Sequence, residues 1–408
     1  MTQPGLVIVG GSYAGLNAAV AARNAGYTAP LTLIGDEDRL PYQRPPLSKG
    51  FLRGDVDAGQ LPLRPQAYFD TAGITMRMAT RAASIDRVEK VVRLADGESL
   101  PYDKLVVATG CSPRMLAVQG ADADGIHYLR TMDDALEIAA RLDSITAVAV
   151  IGGGFIGLEI AASLKRMGKT VSLIEAQSRL LARALSPEMA NYIADRHARE
   201  GVQLYFNAQI ARYHAAAGHI AGVELAGGTV VPADMVIVGI GVVPNVALAA
   251  EAGIECGNGI IVDEYCRTSD PDIYAAGDCT WHPNPYAGGM ARLECVQNAT
   301  DQGKIAGANA AGANLVYDVP PWYWSDQYEL KLQGAGLASG YDRAVVRGSM
   351  SDNTFSTFYF SKEKLLAVES VNRPGEHMLA RKLLAARAQL SEDQAADTAY
   401  DLRQALIN

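Results

Sequence analysis

Val7-Ile8-Val9-Gly10-Gly11-Ser12-Tyr13-Ala14-Gly15 stands near the start of the chain, and Val148-Ala149-Val150-Ile151-Gly152-Gly153-Gly154-Phe155-Ile156-Gly157 repeats its pattern 142 residues later. Each stretch runs from a short apolar segment, suited to a buried parallel strand, through a glycine turn into an Ala- and Leu-rich segment with helical spacing. Glycine permits the tight turn and lets the backbone approach a pyrophosphate, while the helix that follows turns its positive end toward that charge. One such turn is a weak signal. Two in the same register predict a chain that binds two dinucleotides.

Acidic residues complete each unit. Leu31-Thr32-Leu33-Ile34-Gly35-Asp36 and Val171-Ser172-Leu173-Ile174-Glu175 end second strands, with the acids 26 and 23 residues beyond the first glycine. At that spacing a carboxylate accepts from an adenosine ribose, and Glu175 would repel a 2′-phosphate, favouring NADH over NADPH in the second unit. Further strand-to-glycine segments follow, Leu105–Gly110 in the first unit and Met235–Gly241 in the second, so the halves read as a duplication. The segment Ile273-Tyr274-Ala275-Ala276-Gly277-Asp278 fits the first unit. This divides the chain into a discontinuous first domain (1–113 and 246–319), an inserted second domain (114–245) and a C-terminal domain (320–408). The last contains the pair Trp322 and Trp324, alternating strands at 344–347 and 355–360, and a helix over 376–390. Thr131 and Ser186-Pro187-Glu188 read as helix starts.

Size and composition narrow the classes. A chain of 408 residues with 49% apolar content, 40 Gly and 18 Pro suits a multidomain α/β protein. The formal charge of −9 argues against nucleic acid or an anionic membrane as partner. No apolar run reaches the ~20 residues of a membrane span. A signal peptide is not expected where Leu6–Val9 leads directly into Gly10, and a cytoplasmic protein is the expectation. Cys111, Cys256, Cys266, Cys279 and Cys295 show neither C-x-x-C nor C-x-x-x-x-C spacing, so no disulfide relay or iron–sulfur cluster held by this chain is expected. The six histidines have no ligand spacing, and no metal site is expected.

The order of motifs carries a family resemblance over essentially the whole chain. Gly10-x-x-x-Ala14-Gly15, Leu40-Pro41-Tyr42-Gln43-Arg44-Pro45-Pro46-Leu47-Ser48-Lys49, Ala108-Thr109-Gly110, Gly152-x-Gly154-Phe155-Ile156-Gly157-Leu158-Glu159, Gly277-Asp278, Arg292–Gln302 and Trp322-Tyr323-Trp324-Ser325-Asp326-Gln327 together resemble the NADH-dependent ferredoxin reductases of multicomponent oxygenase systems. The resemblance implies an α/β fold with two Rossmann-like, glutathione-reductase-like domains, FAD in the first and NADH in the second, plus a C-terminal α+β interface domain. Ser12 departs from the family's middle glycine but is small enough to keep the approach to phosphate.

The resemblance also assigns roles. Gly10, Ser12, Ala14 and Gly15 cradle the FAD pyrophosphate, with Asp36 on the ribose and Gly277-Asp278 at the ribityl chain. Ala82, Thr109, Gly110, Arg130, Glu294 and Val296 match positions near FAD, with core packing the alternative reading for Ala82 and Val296. Arg44 and Lys49 would place cations beside the flavin, raising its potential. Gly152, Gly154, Phe155, Ile156, Gly157, Glu175, Gly239 and Gly241 line the NADH cleft. Glu159 reaches the nicotinamide or pairs with Lys49, and Trp322 or Trp324 borders the flavin or an electron acceptor. Lys49, Glu159, Trp322 and Trp324 are the candidates for the reaction centre.

The implied reaction carries electrons from NADH through FAD, singly, to a 2Fe–2S ferredoxin feeding an oxygenase. A rubredoxin or monodehydroascorbate reductase, or an apoptosis-inducing-factor-like flavoprotein, shares these motifs. A disulfide reductase or peroxidase is disfavoured because residues 35–50 contain no cysteine. The chain could be a monomer or a homodimer. An acidic partner predicts a local basic patch, and Arg343, Arg347, Lys362, Lys364, Arg381 and Lys382 make the C-terminal domain comparatively basic, although charge on exposed strands is more often a solvated face.

Overall fold

A computed structural model describes residues 3–407. Strand Gly5–Val9 lies between Leu31–Ile34 and the second half of Ser99–Val107, all parallel, and Ile273–Ala275 adds itself beyond Leu105–Val107. The first half of Ser99–Val107 instead pairs antiparallel with Val91–Leu94, which pairs with Ala82–Asp86. One long strand therefore belongs both to the nucleotide sheet and to an antiparallel arm. The strands read as continuous apolar runs because both faces are covered.

The inserted domain repeats the plan. Ala147–Ile151 lies parallel to Thr170–Ile174 on one side and Met235–Val238 on the other, and Ile151 faces Ile174 as Val9 faces Ile34. A short antiparallel ribbon, Cys111–Pro113 with Val242–Pro244, carries the chain out of the first sheet and back. Helix Met132–Leu142 starts on a capping box between Thr131 and Asp134, and helix Pro187–Arg199 starts where the Ser186 hydroxyl accepts from the Met189 amide.

Helices Tyr13–Asn24 and Val296–Ala310 cross at close range through two glycines. A Cβ on Gly303 would lie 2.4 Å from the Ala14 carbonyl, and one on Gly307 would lie 2.0 Å from that of Ala18. The crossing holds the helix behind the first glycine turn against the third block of the first domain.

The C-terminal domain is a five-stranded antiparallel sheet in the order Trp322–Gln327, Leu330–Gly336, Lys364–Val371, Thr354–Ser361, Arg343–Ser349. Helix Pro374–Ala386 covers it with the tail beyond. That helix is shorter than the sequence spacing predicts, because Arg387 turns into the left-handed region (φ 49°) and ends it, while Leu390 is buried separately.

Candidate functional site

The two glycine turns are built alike. Gly10 and Gly152 have φ of 128° and 105°, where only glycine is unstrained, and a Cβ would lie 2.0 Å from the Ala108 carbonyl and 2.3 Å from that of Gly239. At the next-but-one position the demands vanish. Gly154 has φ −82° with open space where its Cβ would stand, and Ser12, its counterpart, has φ −132° and makes no side-chain cap. This explains the tolerance of serine at position 12. Both helix N-termini thus present unsatisfied amides to open space, the arrangement a dinucleotide pyrophosphate fits.

The helix starts border a single cavity of about 870 Å³, lined by Ser12, Tyr13 and Ala14 on one side and Phe155 and Ile156 on the other. Its walls come from all three domains. Lys49, at the end of the short 3₁₀ turn Pro45–Ser48, places Nζ 2.5 Å from Glu159 Oε2, and the side chains are only 15% and 6% exposed. Ser48 and Ser325 each donate to Glu159 at 2.6 Å, and Lys49 also donates to the Pro45 carbonyl. One carboxylate therefore ties the first domain, the inserted domain and the C-terminal sheet together. The pairing of Lys49 with Glu159 was legible in the sequence; the two serines were not.

On the first-domain side, Asp278 receives Arg130 Nη2 at 3.3 Å and the Cys111 thiol at 3.2 Å. Burial opposes the Arg130 charge most strongly, but Asp278, Cys111 and Tyr42 together outweigh it and raise its pKa. Arg44 donates to Glu37 (2.5 Å), the Arg130 carbonyl (2.8 Å) and Tyr42, and lies over the Tyr42 ring. Its charge is thus paired with Glu37, as that of Lys49 is with Glu159 and that of Arg130 with Asp278. Gln302, unassigned by sequence reasoning, accepts from the Gly277 amide, Thr280 Oγ1 and Asn298 Nδ2, and so fixes the Gly277–Asp278 turn from behind. Its only signal was its place in the Arg292–Gln302 signature.

Val296, Glu294, Gly110, Trp322 and Trp324 also line the cavity. Glu294 pairs with Arg292, and Thr109 exchanges hydrogen bonds with Asn245 across the returning chain. The two indoles lie 5.6 Å apart, and Arg381 stands 4.3 Å over Trp322. On the inserted-domain side, Gly239 and Gly241 follow strand Met235–Val238. Glu175 accepts from the Gly153 and Gln177 amides, both at 2.7 Å, which holds it at the turn.

Three expectations change. Strand register makes Gly35, not Asp36, the counterpart of Glu175, and Asp36 is exposed with no hydrogen bond to the turn among the described residues. The neighbouring Glu37 pairs with Arg44, which lines the first site. Ala82 packs in the core beside Leu94 rather than lining the cavity. Arg347 is not part of a basic face: strand alternation turns it inward, where it meets Glu376 and the Thr398 and Tyr400 carbonyls.

Burial pushes the thiols of Cys111, Cys266 and Cys279 up, away from the reactive thiolate. Among the described residues no group of three or more His, Cys, Asp or Glu is placed to hold a metal, and no helix is long and apolar enough to cross a membrane.

A family model described as pyridine nucleotide-disulphide oxidoreductase matches residues 4–303, and one described as reductase C-terminal matches residues 322–406. Rhodocoxin reductase of Rhodococcus erythropolis is 47% identical over 401 residues, spanning 98% of this chain and 94% of that protein. The crystal structure of the ferredoxin reductase for the CYP199A2 system from Rhodopseudomonas palustris matches with a TM-score of 0.96 at 41% identity, covering 99% of this chain and 100% of that one. The covalent putidaredoxin reductase–putidaredoxin complex contains a chain matching with a TM-score of 0.95 at 36% identity, covering 100% and 99%.

Proposed function

We propose, from the premise that this chain belongs to the pyridine nucleotide-disulphide oxidoreductase family and ends in its reductase C-terminal domain, that it is an FAD-dependent NADH:ferredoxin reductase. The observation that carries this reading is the single cavity bordered by the helix starts behind both glycine turns, with the Lys49–Glu159 pair in its wall. FAD bound there would convert the two-electron chemistry of a nicotinamide into the one-electron chemistry of an iron–sulfur protein.

The chain's own contribution is orientation and fixed charge. The amides at Ser12 and Gly154 receive the two pyrophosphates, Glu175 selects the unphosphorylated ribose, and Asp278 presents an acceptor to the ribityl chain. Lys49 holds a positive charge at the cavity wall in a position that Glu159 and Pro45 fix in advance. Phe155 and Tyr323, with rings 5.1 Å apart, line the cavity from the inserted domain and the C-terminal sheet. No general acid or base is needed when reacting rings are stacked and aligned; positioning supplies the rate.

The partner is a 2Fe–2S ferredoxin of an oxygenase system, which engages the rim where Trp324, Trp322 and Arg381 approach the surface. That reading rests on the relatives' partners and on the aromatic rim. Purified protein should be yellow, anaerobic NADH should bleach it, and a 2Fe–2S ferredoxin should restore the oxidised spectrum within milliseconds to seconds. A preparation colourless after flavin reconstitution would end the reading. Reoxidation by rubredoxin but by no ferredoxin would move it to the rubredoxin class.

A further inference from the structure

A buried carboxylate that the proposed reaction does not use stands at the seam between the C-terminal sheet and the nicotinamide-binding unit. Glu369, on strand Lys364–Val371, is 2% exposed, yet it lines the cavity. Its Oε2 receives the Tyr359 hydroxyl at 2.5 Å, and the same hydroxyl lies 2.8 Å from Ser186 Oγ of the inserted domain. Ser186 Oγ already accepts from the Met189 amide, so its hydrogen is free to point to Tyr359. With an ionised Glu369 the chain runs in one direction, Ser186 to Tyr359 to Glu369, and ends on a charge.

The Ser186 end of this chain leads back to the nucleotide turn. The Leu181 amide donates to the Gly153 carbonyl at 2.9 Å, and Arg179 bonds the Ala182 and Leu185 carbonyls. Leu181 itself is held at φ 49°, a strained conformation for a leucine that persists only because its surroundings impose it. Residues 181–186 therefore form a strap fastened at one end to Gly153 and at the other to Tyr359, with Arg183 facing the cavity between them.

We propose that Glu369 is a positioning residue which, through Tyr359, fastens this strap more tightly when ionised, so that the dinucleotide site is better formed above the titration of Glu369 than below it. The proposal rests on the function proposed above. Charge-assisted hydrogen bonds are about twice as strong as neutral ones, which gives the ionised chain its advantage. Burial pushes the Glu369 carboxyl up to about 7, against the lowering effects of Tyr359, Tyr323 and the Ser186 amide. The groups facing it are Tyr359 and Thr357 from the neighbouring strand, Tyr323 from the strand Trp322–Gln327, Tyr341 from the loop beyond Gly336, and Arg179 from the inserted domain. Burial lowers His197, His282 and His377 to about 4, so these do not titrate in the same range.

The test measures NAD+ dissociation constants by calorimetry on the flavin-loaded protein at pH 6.0 and pH 8.5. Wild type should bind roughly fivefold tighter at the higher pH, equivalent to about 1 kcal/mol. Glu369→Gln should bind with the same affinity at both pH values within about twofold, and Tyr359→Phe should lose most of the change while keeping its flavin spectrum. An unaltered pH dependence in either folded variant overturns the proposal, as does a flat wild-type profile. A wild type that holds flavin but binds no NAD+ at any pH refutes the reductase reading instead.

Discussion

At the residue scale the Lys49–Glu159 pair is the most consequential contact, because Glu159 is buried, Lys49 is largely so, and each comes from a different domain. Removing one leaves the other charged and out of water, which typically costs about 3–5 kcal/mol. Glu159→Ala should therefore destabilise the holoprotein by that order and slow NADH-dependent bleaching of the flavin. Lys49→Met combined with Glu159→Gln should recover much of the stability but not the rate; thermal melts and stopped-flow bleaching of the three variants measure both. Ser325→Ala, removing one neutral donor to the same carboxylate, should cost about 1–3 kcal/mol. Lys49 and Glu159 were legible because each sits inside a motif. Ser48 and Ser325 were not, because a hydroxyl is common on any surface and its partner lies 111 or 166 positions away.

Glu369 makes a second prediction at this scale. Its folded pKa is raised above its unfolded value, so the stability it supports is present below about pH 4.5 and is lost as pH rises through about 7. Glu369→Gln removes a charge that burial penalises, and its melting temperature relative to wild type should rise between pH 5 and pH 8, by up to about 3 kcal/mol of stability. Equal melting differences at the two pH values would show that Glu369 does not titrate in this range.

At the element scale the two strand–turn–helix units behave as rigid cradles with unequal positions. Gly10→Ala places a methyl 2.0 Å from the Ala108 carbonyl at a φ alanine rarely adopts, and should abolish flavin retention on purification. Ser12→Gly should leave the FAD content unchanged, because the equivalent Gly154 needs no glycine conformation. The contrast, read by absorbance ratio at the flavin and protein bands, separates steric necessity from motif membership. Periodicity made these units legible: apolar runs bounded by glycine have few other readings. The C-terminal elements were less so. Helix Pro374–Ala386 ends at a left-handed Arg387 that no residue type announces, and Arg347 reads as surface charge until Glu376 and the tail carbonyls close around it. Long-range partners decide both, and local sequence cannot name them.

At the scale of the whole molecule, charge and shape pull in opposite directions. A net charge of −9 would repel an acidic ferredoxin, and screening by salt would then speed their encounter. The rim of the cavity differs from the average. Arg381 sits over Trp322, which lines the cavity, and the C-terminal domain around it also exposes Lys382, Arg343, Lys362 and Lys364. If the partner approaches this rim, local attraction exceeds the distant repulsion, because charges beyond about 8–10 Å are screened at ordinary ionic strength. The second-order rate constant for reducing a 2Fe–2S ferredoxin should therefore fall severalfold as salt rises from about 0.05 to about 0.5 M. Arg381→Glu should flatten that slope while leaving NADH-dependent bleaching unchanged, since Arg381 stacks on Trp322 and pairs with neither Lys49 nor Glu159. A rate that rises with salt in the wild type would place the partner on the acidic remainder of the surface and move the electron exit away from the tryptophans.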